Sequence, residues 1–217
     1  MAATRAPRAD LPDGTVTLLF TDIESSTELV RRLGVRYAEV QDRHRQLLRA
    51  VFDRFRGVEV DTQGDAFLVA FRSAANAAAA AVFSQRSLAE EVWPDDLPVL
   101  VRMGLHTGEP ERGPEGYVGM DVHVASRICS AGHGGQIVVS RATQEFVGKE
   151  PSTEISFRSL GSHRLKDVPT PEQLFQLIAP GLPESFPPLR TMGGATLPAL
   201  HHRLVGKIGR ASCRERV

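Results

Sequence analysis

Short apolar runs rich in β-branched residues recur along the chain, and this pattern is typical of buried strands. The predicted strands lie at residues 15–20, 58–60, 66–71, 99–106, 136–140, 155–157 and 174–177. The polar string DTQGD separates the second run from the third, and its composition favours a tight hairpin turn.

Apolar residues at a spacing of three or four predict helices between these strands. One helix begins at about residue 28, and the others lie at residues 39–56, 73–89, 117–131 and 143–147. Ser25, Ser26 and Thr27 supply N-cap side chains for the first helix, and Gly57 ends the second. The alanine-rich composition of the third helix suits close packing on a sheet.

The order of these elements predicts an α+β fold with helices on one face of a mostly antiparallel sheet. From Pro180 to residue 206, proline and glycine become frequent. We therefore predict a flexible N-terminus at 1–14, one folded domain at 15–179 and a linker at 180–206. Residues 207–217 carry no apolar periodicity and are predicted to be a non-native tail.

Composition and charge exclude some classes of function for this chain. The 217-residue chain is 41% apolar and 24% charged, and its 26 Lys and Arg residues balance its 26 Asp and Glu residues. This balance argues against binding to nucleic acid or a membrane surface through bulk positive charge. No apolar run reaches the length of a membrane-spanning helix, and two cysteines, Cys129 and Cys213, are too few for a disulfide scaffold. We expect a cytoplasmic protein with no membrane partner and no direct nucleic-acid partner.

Asp22 and Asp65 are the first candidates for chemistry. Asp22 ends the first predicted strand and Asp65 lies in the hairpin between the next two, so adjacent strand ends can bring both carboxylates together. Two carboxylates at one site repel each other unless a cation lies between them, and their hard oxygen atoms suit Mg²⁺ or Mn²⁺. The structural alternative is an acid at a helix N-terminus and an Asp that forms a turn.

Four longer strings give these acids a family context. In chain order they are FTDIESST, GDAFLVAF, RMGLHTGE and YVGMDVHVASRICSAGHGGQIVVS, and together they resemble the class III adenylate/guanylate cyclase catalytic domain from about residue 15 to 177. The resemblance implies a ferredoxin-like βαββαβ core with extra strands, and a head-to-tail homodimer with active sites at its interface. It also implies a lyase reaction of signal transduction. The ribose 3′-hydroxyl of a nucleoside triphosphate attacks the α-phosphate, pyrophosphate leaves and a 3′,5′-cyclic nucleotide forms.

The resemblance assigns roles to individual residues. Asp22 and Asp65 would hold two Mg²⁺ or Mn²⁺ ions, with the backbone carbonyl of Ile23 as a further ligand. Arg127 would stabilise charge that develops on the phosphates, since a planar guanidinium suits phosphate oxygens. His123 stands where the family has an asparagine that orients the ribose, and an imidazole donates one hydrogen bond with a different reach. The alternatives are a surface arginine and a catalytically poor histidine.

The positions that recognise the purine differ from those of the family's adenylate cyclases. Asp61 stands where those enzymes have lysine, and Gly116 stands where they have aspartate. A carboxylate can accept hydrogen bonds from guanine N1–H and N2–H₂, whereas adenine N1 is itself an acceptor. GTP is therefore a candidate beside ATP, the family's commonest substrate; the alternative for Asp61 is an Asx-turn. Lys166 falls near the family's lysine for the terminal phosphates, without the surrounding glycines, and the alternative is a solvated lysine.

Two functions remain open at this point. The first is a cyclase that forms cyclic AMP or cyclic GMP. The second is a catalytically degenerate cyclase fold that binds nucleotide or only dimerises within a larger regulator. Three departures favour the second: Asp61, Gly116 and His123. Three retained groups favour the enzyme: Asp22, Asp65 and Arg127. The segment at 180–206 also resembles linkers that lead to an ATPase module in large bacterial signalling and transcription regulators.

Overall fold

A seven-stranded sheet runs through the domain in the computed structural model, which describes residues 11–114, 116–149 and 155–191. The strands are β1 Val16–Ile23, β2 Val58–Gln63, β3 Ala66–Phe71, β4 Val101–Gly108, β5 Glu111–Gly113, β6 Gly116–Val118, β7 Ile137–Ser140, β8 Ser156–His163 and β9 Glu172–Ile178. The strands of the large sheet lie in the order β2-β3-β1-β4-β7-β9-β8, and β5 pairs with β6 in a separate hairpin.

The first four strands confirm the predicted ferredoxin-like core. They lie in the order β2-β3-β1-β4, and each neighbouring pair is antiparallel. The extra strands β7, β9 and β8 extend this core beyond β4, through a parallel pairing of β4 with β7. Consequently β1 lies between β3 and β4, with Asp22 directly opposite Arg102 of β4.

The helices cover both faces of the sheet. They are α1 Ser26–Leu33, α2 Tyr37–Arg54, α3 Ala74–Glu90, α4 Met120–Ala131 and α5 Arg141–Val147. Side chains alternate along a strand, so Leu19 packs in the core with α2 and α3, whereas Leu18 packs on the opposite face, where α4 lies. The prediction that the helices share one face is therefore wrong for α4. None of the helices in the described ranges has the length and apolar character needed to cross a membrane.

Helix α4 lies unusually close to β4. A Cβ atom at Gly104 would lie 2.2 Å from the backbone nitrogen of Cys129 and 2.6 Å from its Cα. Real Cβ atoms do not approach backbone so closely, so residue 104 has to be glycine for α4 to take this position. Cys129 is accordingly buried, and burial raises the pKa of its thiol to about 12.

Three local features differ from the sequence predictions. Helix α1 begins at Ser26, and Ser25 has left-handed backbone (φ 56°) with no side-chain cap hydrogen bond. Helix α4 begins at Met120 rather than at residue 117, because the preceding residues form β6 and Gly119 (φ 107°) turns the chain between them. The β5–β6 hairpin was not predicted, since its short strands carry no apolar alternation.

Residues 180–191, which the sequence analysis assigned to the linker, lie against the domain. The backbone N–H of Arg190 donates to Ala131 O at 2.9 Å, and the Arg190 guanidinium pairs with Glu24. His133 Nε2 lies 3.0 Å from Pro188 O. The remaining linker residues and the predicted tail at 207–217 lie outside the described residues, as do residues 1–10 of the predicted flexible N-terminus.

Gly104→Ala is expected to lower the free energy of unfolding by about 2 kcal/mol or more, because the added methyl group overlaps the Cys129 backbone. Gly148→Ala is the matched control, since its Cβ would lie 3.3 Å from Gln144 O and its backbone is helical (φ −64°). Urea unfolding of both variants measures the difference. Equal stabilities would contradict the close packing of α4 on β4.

Candidate active site

The hairpin between β2 and β3 brings Asp65 to the end of β1. Thr21 of β1 pairs with Phe67 of β3, so Asp65 lies close to the last residues of β1. The Asp65 carboxylate accepts hydrogen bonds from the backbone N–H of Ile23 and from the Ser26 side chain. Its Oδ2 atom is buried and has no hydrogen-bond partner among the described residues. An orphaned buried carboxylate oxygen is costly unless a positively charged ligand satisfies it.

The negative charge of Asp22 also acts on the Asp65 carboxyl. Burial is the largest factor that raises the pKa of the Asp65 carboxyl, and the neighbouring Asp22 carboxylate raises it further. The sequence prediction that adjacent strand ends bring these two acids together therefore agrees with the geometry. Two acids that share a site in this way repel each other when both are ionised.

Arg102 compensates the charge of Asp22. It lies on β4 directly opposite Asp22, and its Nη2 atom donates to Asp22 Oδ2. The Arg102 side chain is only 20% exposed and that of Asp22 34%, so this ion pair is partly shielded from water. Asp22 thus has a resident counter-charge.

The oxygen atoms at this end of β1 fit a divalent cation. Two carboxylates and the backbone carbonyl of Ile23 are the hard donors that Mg²⁺ and Mn²⁺ prefer, and one of the carboxylate oxygens has no hydrogen-bond partner in the ranges described. No group of three or more His, Cys, Asp or Glu residues in the described ranges could hold a metal by side chains alone. A cation bound here therefore has to complete its shell with water or with oxygen atoms of a ligand.

Arg127 and Lys166 come together at a second place. Arg127 lies on α4, and its Nε donates to the backbone oxygen of Lys166 at 3.1 Å. Its Nη2 donates to Asp167 Oδ2 at 2.8 Å. The loop after β8 therefore holds the guanidinium beside Lys166, although the two residues are 39 positions apart. His123 is exposed one helical turn earlier on α4.

Asp61 lines a cavity of about 270 Å³. Its walls are mostly apolar and come from β1, β2, β3, β6 and α4: Phe20, Val60, Ala66, Phe67, Leu68, Tyr117 and Val122. Gln63 also lines the cavity, and its Nε2 donates to Asp61 Oδ2 at 3.0 Å. A mostly apolar cavity with one carboxylate and one amide is suited to an aromatic base with polar edges.

Gly116 lies close to Val60, one of the residues that line this cavity. A Cβ at this position would lie 3.0 Å from Val60 Cγ1, and the backbone has φ 128°. Residues with a side chain rarely adopt such a backbone conformation. The aspartate that adenylate cyclases of the family carry here would therefore strain this chain.

Sequence reasoning assigned no role to Arg102, Gln63 or Asp167. Arg102 lies within the quoted string RMGLHTGE, but its place opposite Asp22 follows from strand register, which the string does not reveal. Gln63 and Asp167 are each adjacent, or nearly so, to residues that were singled out. Their contacts depend on the hairpin turn and on the loop after β8, and neither has a periodic signal.

The two acids at the end of β1 are expected to affect stability in opposite directions in metal-free buffer. Asp65→Asn should raise the free energy of unfolding at about pH 7, because it removes a buried charge that Asp22 repels. Asp22→Asn should lower it, because it leaves the Arg102 guanidinium without its carboxylate.

The sign follows from the direction of the pKa shift of Asp65. A carboxyl whose pKa is raised on folding favours the folded state while it is protonated, and this contribution is lost as the pH rises through the raised pKa. The gain from Asp65→Asn should therefore shrink as the pH falls towards the ordinary range of a carboxyl. Urea unfolding across this pH range measures the effect, and a shift of the same sign in both variants would contradict it.

Comparisons with known proteins show the family to which this chain belongs. Residues 10–178 match the family described as the adenylate and guanylate cyclase catalytic domain. An uncharacterized protein of Mycobacterium tuberculosis is 37% identical over 202 residues, which cover 90% of this chain and 68% of that protein. Receptor-type adenylate cyclase B of Leishmania donovani is 30% identical over 230 residues, which cover 86% of this chain and 17% of that protein.

Solved structures share the fold. Trypanosoma brucei adenylate cyclase in its monomeric state superposes with a TM-score of 0.75 at 27% identity, covering 86% of this chain and 96% of that chain. The guanylate cyclase domain of RhGC from Catenaria anguillulae in complex with GTP has a TM-score of 0.68 at 22% identity, covering 76% and 96% respectively. The chain therefore belongs to the class III adenylate/guanylate cyclase catalytic domain family.

Proposed function

We propose that this protein is a nucleotide cyclase that converts a nucleoside triphosphate to a 3′,5′-cyclic nucleotide and pyrophosphate. The observation that carries the proposal is the pairing of Asp22 with Asp65, in which one buried carboxylate oxygen has no hydrogen-bond partner within the described part of the chain. A cyclase fold that no longer catalysed the reaction would be more stable with a neutral residue in place of one of these two acids. The retention of both acids therefore favours an enzyme over a degenerate binding module.

Asp22, Asp65 and the carbonyl of Ile23 would hold two Mg²⁺ or Mn²⁺ ions. Bound ions at this place would lower the pKa of the attacking 3′-hydroxyl and neutralise charge on the phosphates. Arg102 lies against Asp22 and adds a positive charge at the same end of β1. The protein itself contributes mainly by positioning the hydroxyl near the α-phosphate.

Arg127, Lys166 and His123 form the second part of the proposed site. The Arg127 guanidinium would donate to phosphate oxygens as charge develops there, and Lys166 would contact the terminal phosphates. His123, exposed one turn before Arg127, would donate a hydrogen bond to the ribose. The family's dimer suggests that this part comes from one subunit and the acids from its partner, so we propose a homodimer with interfacial sites. We propose a cytoplasmic location, where nucleoside triphosphates are available.

The cavity beside Asp61 supports a preference for GTP. The Asp61 carboxylate would accept from guanine N1–H and N2–H₂, with Gln63 holding the carboxylate in place. ATP, the family's commonest substrate, offers an acceptor at adenine N1 instead. GTP is therefore our first candidate substrate and ATP the second.

Asp65→Ala and Arg127→Ala should each lose at least about a hundredfold in kcat, because each removes charge that stabilises the transferring phosphate. Mixing the two inactive variants should restore about a quarter of wild-type activity, since half of randomly exchanged dimers are hybrids with one intact site. The measurement is cyclic-nucleotide formation with Mn²⁺ after subunit exchange.

A mixture of Asp22→Ala with Asp65→Ala is the matched control for this complementation. Both changes lie in the same half of the site, so every hybrid site lacks one acid and activity should stay absent. Recovery in the control, or no recovery in the test mixture once exchange is demonstrated, would contradict the interfacial site. A wild-type protein that forms no product from ATP or GTP would contradict the proposed enzyme.

Asp61→Asn should lower kcat/KM for GTP by about tenfold while changing that for ATP by less than about threefold, because one of two acceptors for guanine becomes a donor. The readout is kcat/KM for each triphosphate in the presence of Mn²⁺. Asp96→Asn, remote from the Asp61 cavity, is the control. Equal losses for GTP and ATP would show that Asp61 does not contact the base.

A further inference from the structure

Asp167 holds Arg127 from a loop that packs against α4. Leu165 is buried in a cluster with Val124 and Ile128 of α4, which anchors the loop to the helix. Two residues later, Asp167 accepts from Arg127 Nη2 at 2.8 Å, while Lys166 O accepts from Arg127 Nε at 3.1 Å. Both contacts come from consecutive residues, so the guanidinium is held at two of its nitrogen atoms.

The backbone at Asp167 is unusual. Its φ of 61° lies in the left-handed region, which residues with a side chain seldom adopt and which Asp and Asn tolerate best. The turn, closed by Val168 N–H donating to Leu165 O at 3.3 Å, directs the Asp167 carboxylate to Arg127. The position of this carboxylate therefore requires a backbone conformation that is unfavourable in energy for a residue with a side chain.

The two contacts leave most of the guanidinium available. Arg127 has five N–H donors, and the contacts to Lys166 and Asp167 use two of them. The arginine side chain is 33% exposed, so the other donors can still reach an anionic ligand. A guanidinium fixed in orientation loses less conformational entropy when it binds phosphate oxygens than one on a free side chain.

We propose that Asp167 is a positioning residue that orients Arg127 and keeps it beside Lys166 for the triphosphate. This inference rests on the proposed cyclase function and adds a residue to its site. The opposite role, a latch that blocks Arg127 until it is released, predicts the reverse effect of mutation. The experiment below separates the two roles.

The chain contains a matched control for Asp167. Asp95 also has left-handed backbone (φ 55°) and also pairs with an arginine, Arg36. Asp95 is 50% exposed and Asp167 63% exposed in their side chains, so the two ion pairs are comparable. Asp95→Ala therefore removes the same kind of interaction far from Arg127.

Asp167→Ala should lower kcat by about tenfold with less than about a threefold change in KM, because the guanidinium acts mainly on charge that develops in the transition state. Asp167→Asn should retain at least about a third of kcat, since Asn keeps an acceptor oxygen and tolerates the left-handed backbone. Asp95→Ala should leave both constants unchanged. An unchanged or raised kcat in Asp167→Ala, or an equal loss in Asp95→Ala, overturns the proposal.

A second measurement tests the positioning without any catalysis. The Arg127 Nε–H signal in ¹H–¹⁵N NMR spectra, assigned by its loss in Arg127→Lys, should be observable in the wild type because Lys166 O accepts this proton. It should broaden or disappear in Asp167→Ala and persist in Asp95→Ala. A signal unchanged in Asp167→Ala overturns the positioning role. An inactive wild type whose signal responds as expected would contradict the cyclase proposal and leave the Arg127–Asp167 clamp supported.

Discussion

The close packing of α4 on β4 is the constraint on which the rest of the site depends. With no side chain at Gly104, the helix backbone at Cys129 approaches the strand directly. This contact fixes the height of α4 above the sheet, and with it the positions of His123 and Arg127. Because α4 lies close to the sheet, Arg127 also comes within reach of the loop after β8, where it donates hydrogen bonds to Lys166 O and to the Asp167 carboxylate.

Charge is distributed unevenly at the end of β1. Asp22 has Arg102 as its counter-charge, whereas Asp65 is partly buried beside Asp22 with an oxygen atom that no described group satisfies. Such an arrangement costs stability in the metal-free protein, and binding of a cation would recover it. Sites that are built for a ligand commonly contain this kind of unmet interaction.

The segment at 180–191 connects the end of the domain to the acidic site. Arg190 pairs with Glu24, the residue directly after Ile23. Burial raises the pKa of Glu24, but its polar contacts, foremost that with Arg190, together outweigh burial and the pKa is lowered. Glu24 also accepts from the backbone N–H of Gly134 at 3.2 Å. Residues 180–191 therefore support the backbone that carries the proposed metal ligands.

The sequence alone determined the order of the main helices and strands, because strand and helix periodicity are properties of neighbouring residues. Its resemblance to the cyclase family implied the ferredoxin-like core, and the predicted strand ends indicated that Asp22 and Asp65 lie close together. The sequence predicted Arg127 and Lys166 as separate candidates and left Asp61 between a base contact and a turn. Only the tertiary structure showed that α4 lies on the opposite face of the sheet from α2 and α3, that Arg102 lies opposite Asp22, and that Asp167 pairs with Arg127. These features depend on strand register, on a backbone contact at Gly104 and on a left-handed turn, and such long-range geometry leaves no periodic pattern along the chain.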